Sequence, residues 1–177
     1  MSWPVPGVPI PAGRVNTDIL ATEQNKGVSM ARIYIPVGSV TGTALAVAQA
    51  VSQQLETEGH QTRVDENAAV EQLQDWDAVL VCTSTTGRGD VPGNLLPFYQ
   101  QLQQAEALTG KPFGVISLGD SSYDFTFCGA GERIEQQLLA LQAVQLVPRV
   151  TIDATETATP DDDALFWLKE WSARLSG

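Results

Sequence analysis

The chain has 177 residues, 43% of them hydrophobic, and a formal net charge of −11. That length suffices for one domain with a sizeable core, and the acidity argues against nucleic acid or anionic membrane as a partner. It favours a partner with a basic docking face. No apolar run approaches the roughly 20 residues of a membrane span. The first thirty residues lack the basic start and unbroken apolar segment of a secretory signal, so cytoplasm is the default; a monomer is expected. Cys82, Cys128 and the single histidine, His60, cannot build a closed zinc site. Both thiols read as structural and reduced, and nothing near His60 supplies a nucleophile.

Residues 1–29 are rich in Pro and Gly and favour extended or irregular chain. They read either as foreign residues ahead of a start at Met30 or as a native arm that packs on the domain through Trp3, Val5, Val8 and Ile10. Residues 30–177 form the domain. Its first strand is the β-branched run Ile33–Val37, with Pro36 removing a ladder donor near its end. The turn Gly38-Ser39-Val40-Thr41-Gly42-Thr43 follows. Helix periodicity through Ala44, Val47, Ala48, Val51 and Leu55 then predicts a helix over 42–58 that stops at Gly59. Gln61–Asp65 alternates as an edge strand does.

Ala78–Cys82 and Phe113–Leu118 are continuous apolar runs, the mark of strands covered on both faces. A helix with Leu95, Tyr99 and Leu102 on one side lies between them and stops near Gly110-Lys111-Pro112. Another carries Ile134, Leu138 and Leu141. Val144–Ile152 predicts a fifth strand, placed at an edge by Pro148. The last helix has Thr159 to cap it, Pro160 at its first position, Asp161–Asp163 on its dipole, and Trp167 and Trp171 in its buried stripe.

Five βα units predict an α/β fold: a doubly wound five-stranded parallel sheet, order 2-1-3-4-5, with helices on both faces. Ligands of such sheets sit at the carboxyl ends of the strands where the order reverses. Three unusual loops converge there. The first presents backbone N–H groups and the hydroxyls of Ser39, Thr41 and Thr43 at a helix N-terminus. No Lys or Arg lies between Ile33 and Glu58, so a phosphate there meets neutral donors. It is neither a Walker loop, which needs a Lys, nor a G-x-G-x-x-G fingerprint. The second, Thr83–Asp90, offers Thr and Gly backbone. The third, Gly119–Gly129, offers Tyr123, Phe125 and Phe127 among small residues. A socket, a cradle and an aromatic plate suit a flat phosphorylated cofactor.

Ser-Thr-Thr-Gly-Arg-Gly-Asp-Val-Pro (Ser84–Pro92), Leu-Gly-Asp-Ser-Ser-Tyr (Leu118–Tyr123) and Phe127-Cys128-Gly129 resemble the FMN loops of flavodoxins, in particular the short-chain bacterial group of the MioC and YqcA type. Gly38–Gly42 is similar to that family's phosphate loop, and the resemblance covers about residues 31–177. It implies noncovalent FMN and one-electron transfer. By position, Ser39, Val40, Thr41, Gly42 and Thr43 bind the phosphate. Thr83, Ser84, Thr85, Thr86 and Gly87 line the ring, and Leu118, Gly119, Asp120, Tyr123, Phe127 and Cys128 complete the ring site, with Tyr123 stacked on its outer face. Gly87 can reach positive φ cheaply, so its peptide can flip and offer a carbonyl to the reduced ring. Asp90, Asp120 and Asp124 disfavour a second negative charge nearby. Thr86 stands where many flavodoxins carry Trp or Tyr, and the Phe125–Phe127 stretch is one residue longer than related loops.

The implied partners are a basic-faced NAD(P)H-dependent flavodoxin reductase and acceptor redox enzymes. An FMN-dependent NAD(P)H or quinone reductase is the enzymatic alternative, although no nicotinamide site is evident. A phosphorelay receiver is disfavoured, because the end of the third strand supplies Thr83 instead of an acidic nucleophile.

Overall fold

The computed structural model describes residues 30–120, 128–153 and 155–177. The sequence readings for 1–29, and for Tyr123, Asp124, Phe125 and Phe127, lie outside the described residues. Six strands and four helices are described: β1 (Arg32–Gly38), α1 (Thr43–Thr57), β2 (Gln61–Asp65), β3 (Ala78–Thr83), α2 (Leu96–Leu102), β4 (Pro112–Gly119), α3 (Gly129–Ala140), β5 (Val144–Gln145), β6 (Val150–Asp153) and α4 (Pro160–Ser176). A short 3-10 helix, Val70–Asp75, precedes β3. Among the described residues every strand pairing is parallel. The order β2-β1-β3-β4-β5, with β6 also paired to β4, is the order the sequence predicts.

Side chains alternate across each central strand, so one sheet supports two cores. Ile33, Ile35, Val37, Leu80, Cys82, Ile116 and Leu118 face α1 and α4. Tyr34, Val79, Val81, Phe113 and Val115 face the 3-10 helix, α2 and α3. This two-sided covering explains why the central strands read as unbroken apolar runs, whereas the edge strand β2 stays half wet.

Local departures from the sequence reading have physical causes. The β1–β3 register pairs Ile33 with Ala78, Tyr34 with Val79, Val37 with Cys82 and Gly38 with Thr83. Ile35 and Pro36 fall in the gap, where Pro36 has no N–H to give. The predicted fifth strand is two pieces on one edge. Phe113 pairs with Gln145 and Ile116 with Val150, so the edge chain carries two extra residues over that span. The excess bulges out at Leu146–Arg149, and the carbonyl of Pro148 accepts a hydrogen bond from Trp167 Nε1 at 2.9 Å. Helix α2 ends at Leu102, well before Gly110. Thr159 occupies the N-cap position of α4, but its side chain makes no cap bond; its carbonyl accepts from Asp162 and Asp163 instead.

Buried ionisable groups give the fold a pH limit. Cys82 is fully buried, its Sγ donates to the Ala44 carbonyl at 3.3 Å, and burial pushes its thiol up to about 12. Burial, then a hydrogen bond to Asp65, raises the Tyr34 hydroxyl as well. An unfolded thiol ionises near about pH 8.5, so above that pH the unfolded chain binds fewer protons than the folded one. Stability is therefore expected in full below about pH 8.5 and to fall between there and about pH 12, by on the order of 1 kcal/mol per pH unit for a single group. Denaturation midpoints measured across that range check it, and Cys82→Ala should flatten the slope.

Candidate functional site

The register brings the three loops together. Gly38 ends β1 beside Thr83, which ends β3 beside Ser117 of β4. Between β1 and β3 the chain leaves toward opposite faces, α1 on one and α2 on the other, which opens a crevice at the carboxyl ends.

The first loop is held on both flanks. Toward β3, the Gly38 carbonyl accepts from the Ser84 N–H at 2.8 Å and from Ser84 Oγ at 3.2 Å. On the other side, Ser39 N–H donates to Asn94 Oδ1 at 3.1 Å. Asn94 Nδ2 donates to the carbonyls of Val37 at 2.8 Å and Glu66 at 3.0 Å. Within the loop, Gly42 N–H donates to Ser39 Oγ at 3.0 Å, and the Thr41 and Thr43 hydroxyls lie 3.4 Å apart. Gly42 sits at φ 93 as the N-cap of α1, a left-handed conformation that favours glycine.

These bonds sort the five predicted phosphate residues. The N–H groups of Ser39 and Gly42 are taken up inside the loop. Those of Val40, Thr41 and Thr43 donate to nothing among the described residues, and the first turn of any helix leaves its N–H groups without intrahelical partners. Val40, Thr41, Gly42 and Thr43 are exposed, and the first turn of α1 holds no acidic residue. The Ser39 hydroxyl accepts from Gly42, so its proton is left to donate. The donor set suits a phosphate: uncharged, outward-facing and at the positive end of a 15-residue helix.

The second loop is a closed turn. Thr86 and Asp90 exchange both backbone bonds, at 3.0 and 2.7 Å, and Thr86 Oγ1 also reaches the Asp90 carbonyl at 3.3 Å. Gly87 (φ 52) and Gly89 (φ 82) form its tip with Arg88. A Cβ on Gly129 would stand 2.9 Å from the Gly89 Cα, so this tip is backed by the start of α3. Thr85 Oγ1 accepts from the Ala130 N–H at 3.4 Å, and Arg133 lies 3.8 Å from Asp90. Gly87 and Arg88 are exposed, and Ser84, Thr85 and Thr86 are half-buried.

Three predicted ring residues have their side chains inside the protein. Thr83 is fully buried beneath Gly38, with its hydroxyl bonded to the Ser84 carbonyl at 2.8 Å. Leu118 belongs to the core on the α1 face. Cys128 is buried at the N-cap of α3 with φ 56, and its Sγ donates to the Ser117 carbonyl at 3.3 Å. Burial raises its thiol above the ordinary value. Only backbone atoms of these three can face the crevice. Gly119 ends β4 and Asp120 follows it, both half-buried at the same rim, and Tyr123 and Phe127 fall outside the described residues. Asn94, which braces the first loop, is the residue that the sequence reading missed. An Asn just ahead of a helix is a visible capping signal, but its three partners lie 28 to 57 residues away along the chain.

A doubly wound parallel sheet with a loop of neutral donors at its switch point is the architecture of nucleotide-binding α/β proteins. The Flavodoxin family model matches residues 35–167, and the chain belongs to the flavodoxin family. It is 36% identical to flavodoxin YqcA of Escherichia coli over 155 residues, covering 83% of this chain and all of that one. It is 37% identical to protein MioC of the same organism, covering 80% of this chain and 97% of the relative. Among solved structures, a variant flavodoxin from Pseudomonas aeruginosa superposes with a TM-score of 0.77 at 41% identity, covering 82% of this chain and 99% of that one.

Proposed function

We propose that this protein binds FMN noncovalently across the three loops and carries single electrons from an NAD(P)H-dependent reductase to acceptor redox enzymes, without substrate chemistry of its own. The observation that carries this reading is the first loop, whose free N–H groups at the start of α1 suit a phosphate without any cation. Bound FMN supplies the one-electron chemistry. Val40, Thr41 and Thr43 hold its phosphate through their backbone N–H groups, and the hydroxyls of Ser39, Thr41 and Thr43 add donors. The Ser84–Gly87 backbone, Gly119 and Asp120 would line the ring. Thr86 is a weaker shield than an aromatic residue, so the inner face stays open to solvent beside it. The acidity of the chain suits docking to a basic reductase face, in the cytoplasm and as a monomer.

Mixing FMN-loaded protein with NADPH in the absence of oxygen separates a carrier from a reductase. The carrier is expected to stay oxidised until a flavodoxin reductase is added. Reduction by NADPH alone would favour an NAD(P)H or quinone reductase instead. The reductase-dependent rate should fall by about tenfold or more as ionic strength rises from about 0.01 M to about 1 M and the screening length shrinks from roughly 30 to roughly 3 Å. A flat profile would remove the electrostatic docking.

A further inference from the structure

We infer that Asn94 is the positioning residue of the phosphate loop: one side-chain amide, outside all three loops, sets which N–H groups of the first loop face the ligand. The inference rests on the FMN reading and names the residue that makes the loop competent for it. Val37 and Ser39 flank Gly38 at the very end of β1. The Val37 carbonyl and the Ser39 N–H both point to the flank where a neighbouring strand would bond them. That strand is β2, and it has already ended at Asp65. Asn94 stands in its place. Its Oδ1 takes the Ser39 N–H at 3.1 Å, while its Nδ2 serves the Val37 carbonyl at 2.8 Å and the Glu66 carbonyl, just past β2, at 3.0 Å.

The partners fix the orientation of the amide. Two carbonyls can only meet the NH₂ end, and an N–H can only meet the oxygen. A flipped amide would set oxygen against oxygen twice. Both NH₂ protons and one oxygen lone pair are used, which neither an aspartate nor an aliphatic residue of the same shape reproduces. The adjacent Leu95 is fully buried against the other side of Gly38, so the backbone that carries Asn94 is anchored.

The effect on the site follows from the order of the bonds. With its N–H held by Asn94, Ser39 turns its Oγ to the Gly42 N–H at 3.0 Å. That bond holds Gly42 at the N-cap and leaves Val40, Thr41 and Thr43 N–H outward. Without Asn94, the Ser39 N–H becomes a competing donor and the loop loses its fixed flank. The loss should bear on the phosphate and leave the ring site alone, because the closed turn Thr86–Asp90 has its own bonds.

The test compares FMN with riboflavin, which shares the ring and lacks the phosphate. Flavin-free full-length protein and its Asn94→Ala variant are titrated with each by fluorescence. For Asn94→Ala the FMN Kd is expected to rise about tenfold, the scale of one net hydrogen bond. The riboflavin Kd should change less than about twofold. Asn94→Asp, which keeps the acceptor for Ser39 but sets oxygen against both carbonyls, should behave alike. Equal weakening toward both flavins, or none toward FMN, would overturn the inference while the FMN reading stands. If the native protein binds neither flavin, both fall. Asn94→Ser serves if the alanine variant does not fold. Amide exchange on the native flavin-free protein gives a readout without any variant: the Ser39 N–H should exchange at least tenfold more slowly than that of Val40, and equal rates would also overturn it.

Discussion

Gly38→Ala is expected to weaken FMN binding by about 10- to 100-fold and to lower stability. An added Cβ at Gly38 would stand 2.4 Å from Thr83 Oγ1 and 3.0 Å from Leu95 Cδ2. Both neighbours are fully buried, Thr83 in β3 and Leu95 at the start of α2, so neither can step aside. Overpacking of this kind costs about 1–3 kcal/mol, which is the stated range of affinity if the strain is relieved by displacing the first loop. The neighbour decides the remedy. Thr83→Ala removes the atom at 2.4 Å and leaves the Leu95 contacts, so the double variant should recover part of the loss. Fluorescence titration with FMN and a denaturation curve read the two effects separately. Unchanged binding in the single variant would mean that the first loop does not hold the ligand.

Trp171→Ala should be the most damaging single change away from the site. Trp171 is fully buried in α4, its Nε1 donates to the Phe113 carbonyl at 3.1 Å, and its ring stacks on Trp167 with centroids 6.3 Å apart. Truncation removes the ring, leaves a cavity and leaves the Phe113 carbonyl to the longer bond from the Leu146 N–H at 3.4 Å. Large-to-small changes of this size cost about 3–5 kcal/mol, against a total stability of about 5–15 kcal/mol. Gly114 is the counterpart: its Cβ would meet Trp171 Nε1 at 2.4 Å. Gly114→Ala should therefore destabilise by about 1–3 kcal/mol alone and by less in the Trp171→Ala background, where the contact with Trp167 Cη2 at 2.9 Å is what remains. A double-variant cycle in urea measures that coupling, and strict additivity would contradict the packing described.

Both changes show what the sequence could and could not convey. Period and run length carried the architecture: the unbroken runs at Ala78–Cys82 and Phe113–Leu118 are central strands, and Ala44 to Leu55 is the buried stripe of α1. Turn chemistry carried the positions of the loops, because glycine at φ 93 and φ 52 is where the chain needs it. Long-range side-chain partners left no local trace. Asn94 is a single polar residue among Pro, Gly and Leu until Ser39, Val37 and Glu66 are folded against it. For the same reason Thr83 and Cys128 read as ring contacts from their place in the motif, yet their side chains point into the protein. The edge strand read as one piece because its two extra residues change no periodicity. Thr159 read as a side-chain cap because residue type does not reveal which rotamer the loop selects.

The most direct measurement is the fluorescence of FMN titrated with flavin-free protein. One flavin per chain should bind, with its emission quenched and its absorbance bands shifted, and riboflavin should bind more weakly. Emission that stays at the level of free FMN at saturating protein would contradict the account, leaving a doubly wound sheet without the cofactor its loops are shaped to hold.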